Sequence, residues 1–568
     1  MFRSVDHLPA DVLGLSPVAR AALSGRPQPA GLPGMLIPAR VEDIPRPPDL
    51  LDLDERAELA DALESALTIR APHVAVLDSL RNLRKSGTSM VIAGQQPAFL
   101  GGPLYNIYKA VHAIRLARAL GEAWGTPVIP AFWNHADDHD IAEVHHLWLM
   151  NTNLDLYKLH LASMSSGRQR FGEIILDQEL HKLTPTREAL RQNLWQGNSA
   201  GGAVETFMPR SGETFSGAFT QLLLDLFGHH GLVVVEPDVI RNPMSSALAD
   251  LVATDVHAAL QEGSRALEGA GLSPAINPTE AALVFQHRGG QRHALRLASP
   301  DTYAFDDEPG SRTPSELAAA IVQDRANWSP GALLRPLVQD RVLPAAAYIG
   351  GWGELAYHAQ LPPLRRASNL PLTPFIPRLS ATLVDPESDA ALVKLGVSAQ
   401  TVLEHRGELN ELFQDDTPEQ PPVLDKLRAI ANNASKELSG LRVELEALDR
   451  GLAAQLKRTG KQISMNIDKL VQKAERVHKN KQGHGTRHLR RLQSALFPRG
   501  QPQERVRGAI EFVARFGRDW IDQMIESSEP LPTEHLVVHL RDQQAQPGAD
   551  SPPPEAEPNP PSTPPLTQ

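Results

Sequence analysis

Apolar positions along this chain fall into short unbroken runs and into helical spacing, and the alternation of the two predicts a parallel sheet. Met90-Val-Ile-Ala93 is apolar throughout and stops at Gly94, the pattern of a strand buried on both faces. A loop rich in glycine and proline follows, from Gly94 to Pro103. Leu104, Ile107, Tyr108, Val111 and Ile114 then recur every three or four residues, which predicts a helix opening at Pro103 and ending over Gly121 and Gly125. Pro127 to Trp133 predicts the next strand. Strand, helix and strand of these lengths make a βαβ unit with a right-handed crossover. Upstream, Leu53 to Leu67 predicts an acidic amphipathic helix. Further on, Gly231 to Val235 and Ala345 to Ile349 predict two more strands, the second running into Gly350-Gly-Trp-Gly353.

From about Leu424 the pattern changes. Leu438, Leu441, Leu445, Leu448 and Leu452 step by three and four residues, which is the seam of a coiled coil. Leu456 interrupts that step, and Ile463, Ile467, Leu470, Ala474 and Val477 resume it. Lys479 to Gly485 predicts a tip, and Leu489, Leu492, Leu496 and Phe497 begin a returning antiparallel helix. A seam this long, with a short returning pattern, predicts a second copy of the chain as its cover. The last segment, Gln544 to Gln568, is proline-rich and almost without apolar residues, and is expected to be disordered. The fold class is therefore α/β, a parallel-sheet core plus an α-helical coiled-coil domain. The expected division is a core over 1–383 with insertions at about 150–330, a coiled-coil domain over 384–500, a return segment over 501–541 packing on the core, and a tail over 542–568.

Composition narrows the function. The 568 residues carry a formal net charge of −11, so broad attraction to nucleic acid or anionic lipid is not expected. There are no cysteines, which excludes disulfides, thiolate metal sites and a cysteine nucleophile. The polar N-terminus and strand-sized apolar runs give neither an export signal nor a membrane span, so the chain reads as cytoplasmic.

Three segments at predicted strand ends carry candidate chemistry. In the first, Gly94 lets backbone approach a ligand, Gln95 and Gln96 offer amides to its polar edge, and Lys109 is placed to reach a phosphate. In the second, Trp133-Asn-His-Ala-Asp-Asp-His-Asp140, the cluster Asp137, Asp138 and His139 suits acid–base work, a Mg²⁺ ion or a ribose. Asp140 and Glu143 fit a capping box and are set aside. In the third, Arg335 suits bidentate pairing with a carboxylate or phosphate, Glu354 suits an amine or a helix start, and Arg378 repeats the theme. No spacing gives a P-loop, a dinucleotide fingerprint or a tight zinc site. A metal-dependent hydrolase built on Asp137, Asp138 and His139 stays open, and a non-catalytic coiled-coil scaffold stands beside it.

Read together, Gly94-Gln-Gln96, Gly102-Pro-Leu-Tyr-Asn-Ile-Tyr-Lys109, Phe132 to Asp140, Arg335 to Gln339, Gly350 to Glu354, Ile376-Pro-Arg378 and Phe497 to Arg505 resemble, in order, the motifs of the bacillithiol-biosynthesis cysteine-adding enzymes. Here Ala98 stands for a usual glycine, Trp352 for a proline, Asp137 for a glutamate, and His135 for a small residue. The resemblance implies a Rossmann-like core with connecting insertions and a coiled-coil domain that dimerises. It implies a ligase adding cysteine to glucosaminyl-malate. Amide synthesis in water needs an activated carboxylate, so ATP is the expected activator, with Mg²⁺ as its companion ion. The catalytic set expected from the strand-end cluster is Asp138, His139 and Asp137. The implied binding set is Gly94, Gln95, Gln96, Gly102, Tyr105, Lys109, Arg335, Gln339, Gly351, Gly353, Glu354 and Arg378, with no metal ligands.

Overall fold

A computed structural model describes residues 2–24, 32–151, 153–164, 167–195, 199–409, 422–441 and 484–542, with short helical pieces between 444 and 473. Five parallel strands form its centre: β1 (Ser89–Gln95), β2 (Val128–Asn134), β3 (Val233–Val235), β4 (Ala345–Gly350) and β5 (Phe375–Pro377). Their order is β5-β4-β1-β2-β3. That is a doubly wound, Rossmann-like sheet, whose order reverses between β1 and β4 and leaves a crevice beyond their carboxyl ends. Every predicted strand is present, although the third is confined to Val233–Val235. The helix predicted at Leu53 spans Leu53–Thr68 and is capped reciprocally by Asp52 and Glu55.

Helix α1 (Leu104–Trp124) crosses from β1 to β2. Pro103 lies just outside it, and it runs through Gly121 to a left-handed Gly125. It is buried almost all round, because the sheet covers one side and the C-terminal part of the chain covers the other. Polar residues inside it therefore need protein partners. His112 meets this demand by accepting from the Leu379 amide at 3.1 Å through Nδ1 and donating to the Pro530 carbonyl at 2.9 Å through Nε2.

Two insertions build out from the sheet. Strands 284–288, 291–299, 302–305, 311–312 and 328–330 form an antiparallel sheet over the carboxyl ends of the central strands, and His146–Met150 pairs with Leu156–His160. These insertion strands escape the sequence reading, as do the strands at both ends of the described chain. Phe2–Pro9 pairs antiparallel with Glu534–Leu540, which runs parallel to Ser380–Val384, so both ends of the described chain share one sheet.

The return of the chain onto the core is tied by buried polar groups. Gln503 donates to the carbonyls of Leu383 and Ala495 and accepts from the Leu383 amide. Glu504 pairs with Arg378 and accepts from Ser380 Oγ and the Ala381 amide. The returning helix, His484–Leu496, differs from expectation in two ways. It begins within the predicted tip, and its apolar side (Leu492, Ala495, Leu496) packs on helices Pro386–Leu395 and Ala399–Glu404. Pro422–Gly440 is helical, whereas Leu445, Leu448, Leu452, Ala474, Val477, the tip over 479–483 and the tail from 543 lie outside the described residues.

Removing one partner of a buried ion pair strands the other charge, at a cost of about 3–5 kcal/mol. Glu504→Ala is expected to lower unfolding free energy by about that amount in urea titrations, while an exposed control such as Glu534→Ala changes it by under about 1 kcal/mol. A second expectation concerns pH. His535 is buried between Ser380 and Thr382, and burial pushes its pKa down to about 4 against an opposing pull from Glu504. A folded pKa below the unfolded value of about 6.5 gives stability that is complete above pH ~6.5 and lost as pH falls towards ~4. Between pH 7 and pH 5 the protein should lose roughly 2 kcal/mol through this group, a slope that His535→Gln should flatten.

Candidate active site

The carboxyl ends of β1 and β4 are held together by one side chain. The Lys109 ammonium is 1% exposed and donates to the Gly94 carbonyl at 2.6 Å, to Gln95 Oε1 at 2.8 Å and to Glu354. An ammonium has three N–H groups, and all three are used. Lys109 is thus neither a surface lysine nor free to take a phosphate. Glu354 is equally committed: Oε2 accepts from Lys109 and the Gly351 amide, and Oε1 accepts from Tyr348 Oη at 2.6 Å. Burial raises the Glu354 pKa, but Lys109 and the Gly351 amide more than reverse that and leave it lowered.

Beyond this clasp lies a cavity of about 510 Å³. Gln95, Gln96, His135, Asp137, Asp138 and His139 line one side, Arg335, Glu354 and Tyr357 another, and Phe285, Arg292 and Pro330 come from the antiparallel sheet. Gly94 has no room for a side chain, since a Cβ there would stand 3.0 Å from His135 Nε2. Gly102 is left-handed (φ 65°), and a Cβ on it would fall 2.6 Å from Asn106 Nδ2. At the end of β4 it is Gly350 whose Cβ would strike the Phe375 ring at 2.5 Å, whereas the space around Gly353 is open and Gly351 makes only ordinary contact. Of these three glycines only Gly350 is in close packing, and its neighbour is the Phe375 ring.

The acidic cluster divides. Asp137 is buried, with Oδ2 accepting from Arg241 at 2.9 Å and Oδ1 from Arg241 and, at 3.1 Å, from Arg170. Burial acts against its charge, but Arg241 holds it far below the usual carboxylate range. A carboxylate gripped by two guanidiniums is a poor proton acceptor and a weak metal ligand, so Asp137 serves to anchor the loop. Asp138 accepts from the His139 amide at 2.7 Å and from Gln96 Nε2 at 2.8 Å, with Arg292 at 3.3 Å. Its pKa is also low, because these partners outweigh burial. His139 Nδ1 lies 3.3 Å from Arg292. The expected capping box is absent: Asp140 makes no side-chain cap bond, and Glu143 is exposed.

Arg335 is the group that stands apart. It opens α2 (Arg335–Val342) and is 7% exposed. Its guanidinium donates to Gln339 Oε1 at 2.9 Å and reaches the hydroxyls of Tyr348 and Tyr357 at 3.4 and 3.5 Å. None of the carboxylates among the described residues forms an ion pair with it. Burial opposes its charge, while the two tyrosines and Glu354 keep its pKa raised. Gln339 is fully buried and acts by holding Arg335. Arg378 does not reach this cavity. It is paired with Glu504, and its guanidinium lies 5.4 Å from the Tyr105 ring centre. Tyr105 lines a neighbouring cavity together with Gln95 and Gln96.

Arg170, Arg241 and Arg292, which set the charge of the site, come from the insertions and escape sequence reading. Nothing near them in sequence forms a motif; only the i, i+3 pairs Arg170–Glu173 and Asp238–Arg241 hint at an ionic cluster. Among the described residues one group has metal-ligand types close together, His229, His230 and Asp522. Arg518 and Arg118 donate to the Nδ1 atoms of the two rings, at 3.1 and 2.7 Å, which leaves each Nε2–H to donate to Asp522. A metal at Nε2 would force a proton onto Nδ1 against an arginine, so this group is an ionic latch for helix Asp519–Ser527.

Comparison with known proteins agrees with this architecture. Residues 47–379 match the N-terminal Rossmann-like domain of bacillithiol biosynthesis BshC, and residues 381–540 match its C-terminal coiled-coil domain. A protein of Koribacter versatilis (strain Ellin345) is 30% identical over 472 residues, covering 82% of this chain and 86% of its own. One of Solibacter usitatus (strain Ellin6076) is 30% identical over 503 residues, covering 86% and 90%. One of Geobacillus thermodenitrificans (strain NG80-2) is 30% identical over 500 residues, covering 86% and 91%. All three bear the name "Putative cysteine ligase BshC". With both domains matched in order over most of its length, this chain belongs to the BshC family of bacillithiol biosynthesis.

Proposed function

We propose that the protein is a ligase that joins the carboxyl group of cysteine to the amine of glucosaminyl-malate, after activation of that carboxyl by ATP. The observation that carries this reading is Arg335, a buried guanidinium without a carboxylate partner on the wall of a cavity at the sheet's reversal point. A buried cation whose fork is not taken by a carboxylate attracts an anion, and a phosphate or carboxylate fits that fork. Arg292 adds a second positive group, shared with Asp138. These residues fit a polyphosphate. A Mg²⁺ ion would arrive with the phosphates, since Asp137 and Asp138 already spend their oxygens on arginines and amides. The same commitment disfavours a metal-dependent hydrolase at this cluster.

ATP supplies the leaving group that makes the cysteine carbonyl an acyl donor. The acceptor nitrogen forms the C–N bond to that carbon, and the C–O bond to the leaving group breaks with its electron pair on oxygen. Asp138 stabilises the positive charge developing on nitrogen, and His139 at the same end takes the proton and passes it to water. Gln95 and Gln96 orient the polar edges of the reactants, and the Lys109–Glu354 clasp keeps both strand ends in place.

A mass-spectrometric assay with cysteine, ATP and glucosaminyl-malate should yield bacillithiol; no product, with or without Mg²⁺, would sink the ligase reading. Arg335→Lys, which keeps the charge but loses the fork, should raise the KM for ATP about tenfold. Asp138→Asn should lower turnover about a hundredfold, far more than it lowers stability.

The helical pieces of the coiled-coil domain leave Val423, Ile430, Leu441, Met465 and Leu470 exposed, each at least 42% accessible in the single chain. The proposed cover is a second copy, giving a homodimer. Light scattering at micromolar concentration is expected to show a dimer for the wild type and a monomer for Ile430→Glu/Leu441→Glu/Leu470→Glu; a dimeric triple variant removes this assignment.

A further inference from the structure

A second cavity, of about 520 Å³, opens on the far side of Gln95 and Gln96, between the loop before α1, the strand 146–150 and the return segment. Its size suits a disaccharide-sized ligand. Three features mark it as a built site. Arg505 lines it and forms no ion pair among the described residues. Asn106, which also lines it, is fully buried, and its Oδ1 has no hydrogen-bond partner although Nδ2 donates to the Gly101 carbonyl at 2.9 Å. The left-handed Gly102 leaves room for this amide, since a Cβ there would fall 2.6 Å from Nδ2. A buried carbonyl oxygen left without a donor is costly unless a ligand supplies one.

The charges are arranged for a particular ligand. Glu143 and Gln96 both line this cavity, so its acidic end is at the wall shared with the first cavity. Trp148 gives an apolar wall, with the Arg499 guanidinium stacked 3.9 Å from its ring centre. Arg505 and Tyr105 offer donors for carboxylate oxygens.

We propose that this second cavity is the acceptor subsite, taking an amino sugar that carries carboxylates. Its carboxylates lie at Arg505, its hydroxyls meet Asn106, and its amine lies at Glu143 and points past Gln96 into the first cavity. The two cavities thus divide the reactants, the anionic acyl donor at Arg335 and the acceptor here, and the Gln95–Gln96 wall is where they meet. This assignment rests on the ligase reading.

The test uses the full-length protein and Arg505→Ala, a change at an exposed side chain. Calorimetric titration with glucosaminyl-malate, independent of turnover, should show affinity about tenfold or more weaker than wild type, restored in large part by Arg505→Lys. Methyl glucosaminide, which lacks the carboxylates, should bind both proteins alike. In steady state the KM for glucosaminyl-malate should rise about tenfold with the KM for ATP unmoved. Equal affinity of wild type and Arg505→Ala for glucosaminyl-malate overturns the subsite, and so does a rise confined to the KM for ATP, which would make this a nucleotide pocket. A wild type that binds glucosaminyl-malate through Arg505 but forms no product refutes the ligase reading and leaves the binding site standing.

Discussion

The structure turns on a buried ammonium. Lys109 sits in a helix packed on both sides, where a lone charge is expensive, and three acceptors from two different strand ends surround it. Two of these acceptors belong to the end of β1, and the third, Glu354, is fixed by the amide that follows β4. The strands that flank the reversal point are therefore locked in register where their carbonyls and amides run out. Loosening this clasp would expose Lys109 and Glu354 to an apolar interior and splay the crevice in which Gln95, Gln96 and Arg335 are presented. A site for reacting two small molecules needs its groups held to within a fraction of an ångström, and a fully satisfied buried pair does this better than apolar packing alone.

The buried arginines in and around the crevice fall into two kinds. Arg170 and Arg241 neutralise Asp137, and Arg378 neutralises Glu504; these tie loops to the core and leave little charge for a ligand. Arg335 has only neutral partners, and its field is spent on the cavity. Proximity to the crevice alone does not separate the two kinds. What separates them is whether a carboxylate already occupies the fork, which sets how strongly a phosphate would be bound.

The C-terminal return explains how a sheet of only five strands supports this arrangement. Gln503 and Glu504 satisfy backbone groups of Ser380–Val384, and Glu534–Leu540 joins the N-terminal strand to the same layer. This layer covers the outer side of α1 and makes it an interior helix. The same segment carries Arg505 and Val506 to the second cavity, so closing the fold and completing the crevice are one event.

Periodicity and turn chemistry settled the central strands, the helix after Gly94, and the helix at Leu53, because short apolar runs and caps are local physics that any fold must obey. The recurrence of Gln95, Gln96 and Asp138 at predicted strand ends likewise placed them at one crevice, since a parallel sheet collects all its carboxyl ends on one side, whereas Arg335 reaches it from the start of the helix before β4. The sequence was silent where partners come from far away. Lys109 looks like any helical lysine until Glu354 is 245 residues distant and within bonding reach. Asp137 and Asp138 are neighbours of identical type, and only the arrival of Arg241 and Arg170 at one of them makes it an anchor. The charge state and availability of a buried group depend on what surrounds it in space, and local sequence does not encode that surrounding; it was the tertiary structure that decided which ionisable groups were already paired and which were left to meet a ligand.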